Sequence, residues 1–242
     1  MTRVDKRKPE QLRDIKVELD YLEYPAGSCL ISFGKTKVLC AVNVENRVPQ
    51  FLLGQGKGWL TAEYSMLPAS TQERTQRESR LGRLSGRTQE IRRLIGRSIR
   101  PIFDLNVIGE RTFIIDCDVI QADGGTRTAA VTGAFIALYR AAEKLNVNKE
   151  FSAFPITDFV AAISIGIVNK ELLLDLCYEE DCAADIDMNL VMTGRGKLIE
   201  VQATAEHVPV GRREFDKMID LGIHGIEQII SLEKKLLGKN KP

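Results

Sequence analysis

Apolar residues recur at helical spacing in the stretch after Thr88. One side of a helix built on this stretch carries Ile91, Leu94, Ile95, Ser98, Ile99 and Ile102. The opposite side carries Arg93, Arg97 and Arg100. Apolar positions three and four residues apart are typical of an amphipathic helix. The pattern therefore predicts a helix that packs with one face and presents arginines on the other.

A strand, a glycine turn and a second helix are predicted next along the chain. Residues 111–120 are β-branched and apolar, with Asp116 and Asp118 two positions apart, as in a strand with one polar face. The polar stretch 121–128 contains paired glycines, and an alanine-rich run follows to about Leu145. The run predicts a helix that starts directly after the glycines.

The segment from 172 to 193 has the pattern of two strands joined by a turn. Strands are predicted at 172–176 and 184–193, with a turn at 179–183, so that together they form a hairpin. Alternation along the second strand places Asp185, Asp187 and Asn189 on one face and Ile186, Met188 and Leu190 toward the core.

Length and composition are those of a globular protein. A chain of 242 residues, 44% hydrophobic and 28% charged, can bury its core in a single domain spanning 1–242. These values exclude disordered, collagenous and disulfide-scaffold classes. The first fifteen residues are too polar for a secretory signal, and the apolar run 159–168 is shorter than the ~20 residues of a membrane helix. We therefore expect a cytoplasmic protein with no membrane partner.

Cysteine and histidine offer little catalytic chemistry in this chain. The five cysteines include no CxxC pair, and the two histidines, His207 and His224, lie in no HExxH frame. A four-ligand zinc site is therefore poorly supported, and reduced core thiols are expected. Because the usual acid or base near neutral pH is scarce, proton transfer is expected to fall to a carboxylate.

Charge is balanced over the whole chain but separated within it. The 34 Lys and Arg residues nearly cancel the 33 Asp and Glu residues. Residues 70–100 nevertheless contain nine arginines, no lysine and three acids, whereas residues 171–190 contain seven acids and no base. The first segment is suited to anions and the second to cations.

The choice of arginine over lysine in residues 70–100 favours planar, bidentate pairing with phosphate. Polyanion affinity comes from many such contacts, so an RNA or DNA backbone is the favoured partner for some of these side chains. The arginines assigned to RNA or to a subunit interface are Arg74, Arg77, Arg93, Arg97 and Arg100. The alternative is a solvated helix whose arginines pair with acids of the same protein or of another subunit.

The turn at 121–128 has the composition of an anion site. N–H groups at a helix start attract anions, and Gly124 and Gly125 let an oxyanion approach the backbone closely. Thr126 and Arg127 add a hydroxyl and a guanidinium. A P-loop and a GxGxxG fingerprint are both missing from the sequence, so ATP and NAD are not indicated. The alternative is an Asp-Gly-Gly turn capped by Thr126.

The acidic segment offers oxygen ligands for a hard cation. Asp181, in the predicted turn, could join Asp187 around Mg²⁺ through carboxylate oxygens and water. Asp185, in the same run, is a substitute ligand. The alternative is an acidic hairpin that is simply solvated.

Several long motifs stand in a fixed order along the chain. They are 58–68 (GWLTAEYSMLP), 86–100 (GRTQEIRRLIGRSIR), 124–128 (GGTRT), 180–189 (EDCAADIDMN) and 200–206 (EVQATAE). Together they resemble the ribonuclease PH family, bacterial phosphate-dependent 3′ exoribonucleases, nearly from end to end. The chain departs from the family pattern at Ala69, where the family usually carries an arginine that contacts RNA or another subunit.

The resemblance implies a single α+β domain like domain 2 of ribosomal protein S5, with mixed sheets and packed helices, assembled as a homohexameric ring of dimers. The residues it implies for the attacking inorganic phosphate are Arg87, Gly125, Thr126 and Arg127. It also implies that Asp181 and Asp187 hold Mg²⁺ or assist proton transfer. These positions coincide with the anion and cation sites that the residue pattern predicts.

The reaction that the resemblance implies is phosphorolysis. Inorganic phosphate attacks the last phosphodiester of a tRNA precursor and releases a nucleoside diphosphate, and the reverse reaction adds nucleotides to the 3′ end. Arginines, backbone amides and a divalent ion suit this chemistry, because two phosphates and the charge developing between them must be neutralised. The alternatives are a non-catalytic RNA-binding subunit of an exosome-like ring and a phosphate-binding metabolic enzyme, which leaves the arginine helix unexplained.

Overall fold

The structure is a computed structural model that describes residues 3–206 and 209–238. Within these residues the strands are β1 Ile15–Leu19, β2 Gly27–Phe33, β3 Thr36–Glu45, β4 Trp59–Met66, β5 Thr112–Gln121, β6 Val160–Val168, β7 Glu171–Leu174, β8 Ile186–Thr193 and β9 Leu198–Ala205. The helices are α1 Glu78–Leu81, α2 Gly86–Ile99, α3 Thr126–Val147, α4 Tyr178–Cys182 and α5 Arg212–Leu237.

The first sheet contains five strands in the order β1-β2-β3-β5-β4. Strand β4 runs parallel to β5, and the other neighbours are antiparallel. Phe113 and Ile115 of β5 are buried, while Asp116 and Asp118 are half-buried on the opposite face. The predicted strand with one polar face is therefore confirmed.

The second sheet contains four antiparallel strands in the order β7-β6-β8-β9. The predicted hairpin between 172–176 and 184–193 is therefore wrong, because β6 lies between β7 and β8 and pairs with both. Eight of the nine residues of β6 are buried, and a strand that is apolar on both faces is suited to the middle of a sheet. The predicted turn at 179–183 is also wrong, because α4 occupies most of it.

Helix α3 lies between the two sheets. It packs against β2, β3 and β5 of the first sheet and against β6 and β8 of the second. A helix covered on both sides must be apolar all round, and the run from Ala129 to Tyr139 is buried throughout. The predicted alanine-rich helix is confirmed. Its buried position places its N-terminus, directly after the glycine pair, between the two sheets.

Helix α2 is amphipathic, as predicted. The buried side consists of Thr88, Ile91, Leu94, Ile95, Gly96, Ser98 and Ile99. Ser85 caps the helix, its hydroxyl oxygen accepting a hydrogen bond from the Thr88 N–H at 3.1 Å. The helix ends at Ile99, and a 3₁₀ turn follows because Pro101 has no N–H to continue the α-helical pattern.

One contiguous hydrophobic core includes residues of both sheets and of α2, α3 and α5. The α+β class with mixed sheets is confirmed, and the single-domain organisation stays a prediction.

All five cysteines are unpaired, and four of them are buried as expected. Cys182 is exposed, so the expectation of a core thiol is wrong there, because α4 lies at the surface. Each helix of the described residues is too short or too polar to span a bilayer.

Candidate active site

The N-terminus of α3 is built by two glycines in the left-handed region. Gly124 has a φ of 74° and Gly125 a φ of 65°, values that favour glycine. No described side chain caps the helix start, so N–H groups of its first turn remain available to an anion. We call residues 123–125 the glycine turn.

The glycine turn packs directly against the start of α4. A Cβ on Gly124 would lie 2.7 Å from both the carbonyl oxygen of Leu176 and the amide nitrogen of Tyr178. Backbone atoms cannot give way as a flexible side chain can. Glycine at this position therefore lets the turn before α3 approach the helix that carries Asp181.

Thr126, the first residue of α3, has its hydroxyl oriented by a buried tyrosine. The hydroxyl of Tyr64, on β4, donates a hydrogen bond to Thr126 Oγ1 at 3.0 Å. Burial raises the pKa of Tyr64, which therefore stays protonated near neutral pH. Because Thr126 Oγ1 accepts this bond, its own hydrogen remains free to donate to an anion. Tyr64 was not predicted as a site residue from the sequence.

Arg127 is held from two sides by polar side chains. Its Nη1 donates to Oε1 of Gln202 on β9 at 2.7 Å and lies 3.4 Å from Oε1 of Glu90 on α2. Gln202 Nε2 in turn donates to the same Glu90 oxygen at 2.9 Å. This triangle fixes one nitrogen of the guanidinium. Sequence reasoning missed both partners, since their positions depend on the packing of α2 and β9 against α3.

The acidic side of the site consists of Asp181 on α4 and Asp187 on β8. Removal from water raises the pKa of Asp181, although Arg127, Arg87 and Arg13 act in the opposite direction. Burial also raises the pKa of Asp187, and the negative charge of Asp181 raises it further. Both carboxyls thus hold a proton at higher pH than an ordinary aspartate does. Such groups suit proton transfer.

The six residues predicted to bind phosphate, to hold the metal or to transfer a proton line a single cavity of about 410 Å³. The predicted residues in its wall are Arg87, Gly125, Thr126, Arg127, Asp181 and Asp187. Sequence reasoning gave no role to the other wall residues, which are Ser164, Cys182, Ala184, Asn189 and Glu206. The alternation along β8 already placed Asn189 on the face of Asp187, and that signal could have identified it. The structure therefore brings the residues of the predicted anion site and of the predicted cation site into the wall of one cavity.

The cavity suits a metal held by few protein ligands. The described residues contain no cluster of three or more His, Cys, Asp or Glu that could hold an ion. Two carboxylates facing one cavity nevertheless fit Mg²⁺, which keeps several waters and binds through one or two carboxylates plus substrate phosphates. His224 does not line the cavity, and His207 lies outside the described residues.

The predicted RNA-binding arginines have different surroundings. Arg74, Arg77 and Arg93 are exposed. Arg97 forms an ion pair with Glu200 at 2.5 Å. Internal contacts engage Arg100, whose guanidinium lies 4.6 Å from the ring centre of Trp59 and whose Nε donates to the Leu60 carbonyl oxygen at 3.1 Å. The alternative of contacts within the protein thus applies to Arg97 and Arg100.

Two adjacent regions of the chain match a known family. Residues 11–142 match the model of the 3′ exoribonuclease family, domain 1, and residues 158–225 match that of domain 2. The chain belongs to the 3′ exoribonuclease family. Arg87 and the glycine turn lie in the first region, and Asp181 and Asp187 lie in the second. The cavity of this family member therefore takes its anion residues from one region and its carboxylates from the other.

Curated relatives cover nearly the whole chain. Ribonuclease PH of Halalkalibacterium halodurans is 54% identical over 237 residues, which cover 98% of this chain and 92% of the relative. Ribonuclease PH of Moorella thermoacetica is 53% identical over 238 residues, which cover 98% and 95%. The similarity confirms the predicted activity class, a phosphate-dependent 3′ exoribonuclease of the nucleotidyltransferase class with inorganic phosphate as co-substrate.

Solved structures share the fold at lower identity. Rice (Oryza sativa) Rrp46 matches with a TM-score of 0.79 and 20% identity, covering 98% of this chain and all of that chain. The structure described as the Archaeoglobus fulgidus exosome with RNA bound to the active site matches with a TM-score of 0.79 and 21% identity, covering 95% and 91%. At these identities the likeness shows a common fold.

Proposed function

We propose that this exoribonuclease trims the 3′ ends of tRNA precursors by phosphorolysis in the cavity between α3 and β8. The phosphate is held by Arg87, Gly125, Thr126 and Arg127. The carboxylates of Asp181 and Asp187 act on the opposite side. One observation carries the proposal: the anion residues and both carboxylates line the same cavity of about 410 Å³.

The reaction exchanges one phosphorus–oxygen bond for another. An oxygen of inorganic phosphate attacks the terminal phosphodiester phosphorus, the bond to the 3′ oxygen of the preceding nucleotide breaks, and a nucleoside diphosphate leaves. The phosphate loses a proton and the departing 3′ oxygen gains one. Asp181 and Asp187 suit this transfer, because protein burial raises the pKa of both. Two guanidiniums balance the charge of the phosphates.

Asp181 and Asp187 are also the residues that would hold Mg²⁺. Their oxygen atoms suit a hard cation, and their mutual repulsion, which raises the pKa of Asp187, would be relieved by a positive charge between them. A bound Mg²⁺ supplies charge neutralisation for the phosphate oxygens. In its absence the two carboxylates repel the anionic substrate, so activity should require a divalent ion.

The proposal includes an assembly and a compartment. Large apolar side chains are exposed at Tyr24, Phe51 and Leu53, with exposures of 96%, 63% and 70%. We propose a homohexamer built as a ring of dimers, in which these exposed apolar side chains are candidate interface residues. RNA contacts of the exposed Arg74, Arg77 and Arg93 belong to the same proposal. Five unpaired thiols suit the reducing cytoplasm.

The test is incubation of a 3′-extended tRNA transcript with Mg²⁺ in the presence and absence of inorganic phosphate. We expect shortening only with phosphate and release of nucleoside diphosphates, and we expect 3′ addition when nucleoside diphosphates are supplied instead. Release of nucleoside monophosphates in phosphate-free buffer would indicate a hydrolytic nuclease. RNA binding without shortening in either buffer would indicate a non-catalytic ring subunit.

A matched pair of variants on α2 tests the phosphate site. Arg87 lines the cavity, whereas Arg93 is exposed on the same helix and does not. Arg87→Ala should raise the phosphate KM by about tenfold or more, since a charge-assisted contact is lost. Arg93→Ala should weaken RNA binding and its salt dependence while leaving the phosphate KM unchanged. Equal phosphate KM values for both variants would remove Arg87 from the phosphate site.

A further inference from the structure

The segment before β1 brings two arginines to a pair of buried acids. Asp175 and Glu180 stand before and within α4, and both are buried. Arg3 donates from Nε and Nη2 to the two carboxylate oxygens of Glu180, each at 2.7 Å. Arg13 binds Asp175 in the same bidentate way: its Nη2 donates to Oδ1 at 2.6 Å and its Nε donates to Oδ2 at 3.0 Å. Bidentate pairs of this kind are charge-assisted and directional.

Arg13 also contacts the glycine turn. Its third nitrogen, Nη1, donates to the carbonyl oxygen of Asp123 at 2.7 Å and lies 3.4 Å from that of Gly124. A Cβ on Gly125 would lie 2.8 Å from Arg13 Nη2. The guanidinium therefore lies directly against the residues that precede α3. A single side chain joins the turn before α3 to the segment before α4.

Asp175 extends this connection to the cavity wall. Its N–H donates to the carbonyl oxygen of Ser164 at 2.7 Å, and the N–H of Leu176 donates to Ser164 Oγ at 3.1 Å. Ser164 lines the cavity, whereas Arg13 does not. Helix α4, which carries Asp181, begins two residues after Leu176. Arg13 thus contacts the glycine turn directly and is connected through Asp175 to Ser164 and to the start of α4.

We propose that Arg13 is a positioning residue for phosphorolysis, an inference that rests on the proposed function. Its guanidinium holds the glycine turn and Asp175 at a fixed separation, and this sets the distance from the bound phosphate to the carboxylate of Asp181. A misplacement of about 1 Å can slow a reaction about a hundredfold. Lysine keeps the charge but lacks the planar fork, so it cannot hold Asp175 and the turn together.

The decisive variant is Arg13→Lys, tested by phosphate titration at saturating RNA and Mg²⁺. We expect the phosphate KM to rise by about tenfold or more and kcat to fall, with the RNA KM within about twofold of wild type. Arg7→Lys is the matched control. Arg7 donates to the backbone carbonyl oxygen of Asp175 at 3.0 Å and pairs with the carboxylate of Asp175 at 3.7 Å, as Arg13 also pairs with it, but none of its described hydrogen bonds reaches the glycine turn. Its phosphate KM should remain that of wild type.

A second variant separates positioning from folding. Asp175 has a φ of 56°, which asparagine tolerates. Asp175→Asn therefore keeps the backbone conformation while it weakens the ion pair with Arg13. We expect a smaller rise in phosphate KM than for Arg13→Lys. A lowered urea midpoint with a wild-type phosphate KM in either variant would show a purely structural role and overturn the proposal. Wild-type activity that needs no phosphate would overturn the proposed function itself, so the two failures are distinguishable.

Discussion

A buried carboxyl on α5 should make the stability of this protein fall as pH rises. Glu233 is fully buried, and neither of its carboxylate oxygens has a hydrogen-bond partner among the described residues. Burial therefore raises the pKa of Glu233 well above its ordinary value of 4.5, although the charge of Lys234 acts in the opposite direction. The folded protein keeps a proton that the unfolded chain releases.

The magnitude follows from proton linkage. For a carboxyl whose folded pKa is raised, the stabilising contribution is complete below the unfolded pKa and is lost as pH rises toward the folded pKa. Across that window the loss is about 1.4 kcal/mol per pH unit. Glu233→Gln preserves the shape of the side chain and removes the titration. The stability of the variant relative to wild type should therefore rise between pH 5 and pH 6, by up to about 1.4 kcal/mol.

The assay is urea unfolding of both proteins at pH 5.0, 5.5 and 6.0, at one protein concentration because association shifts apparent stability. The buried amide that Glu233→Gln introduces has its own desolvation cost, but that cost is the same at each pH, so the slope is diagnostic. Glu227→Gln, at an exposed position of the same helix, should change stability by less than about 0.5 kcal/mol. Parallel pH dependence of wild type and Glu233→Gln would refute the reasoning.

Three further predictions concern the active site. Gly124→Ala should destabilise the protein by at least about 1–2 kcal/mol, from the left-handed φ alone, and thermal unfolding measures this loss. The same variant should abolish phosphorolysis, as measured by phosphate titration, because the new Cβ would overlap the backbone of Leu176. Asp187→Asn should remove activity with a native circular dichroism spectrum, because a negative ligand and proton-transfer group is lost from the cavity wall while the core is untouched; near-normal turnover at limiting Mg²⁺ would argue against a role of Asp187 in the reaction. Gln202→Leu should raise the phosphate KM and leave the RNA KM unchanged, because Arg127 loses its 2.7 Å hydrogen bond; a wild-type phosphate KM would contradict this.

The sequence by itself determined the features that depend on neighbours along the chain. The periodic apolar stripe of α2, the alternation of β5 and β8, and the glycine pair before an alanine-rich run each predicted their element. Side-chain direction repeats every 3.6 or 2 residues, so these patterns are local. The anion character of residues 124–128 and the acidic face of β8 are equally local, and the predicted residues drawn from them line one cavity.

The tertiary structure alone decided how those pieces meet. Strand β6 separates β7 from β8 because a strand that is apolar on both faces gains most from two neighbours, and no local pattern indicates which strands pair. Arg100 was predicted to share the exposed helix face of Arg93 and Arg97, yet packing against β4 places its guanidinium over the ring of Trp59. Gln202 and Arg13 reach the site only through long-range packing. Such contacts form when the elements bury their apolar faces in one shared core. The periodicity of a single segment does not indicate which other segment it will pack against.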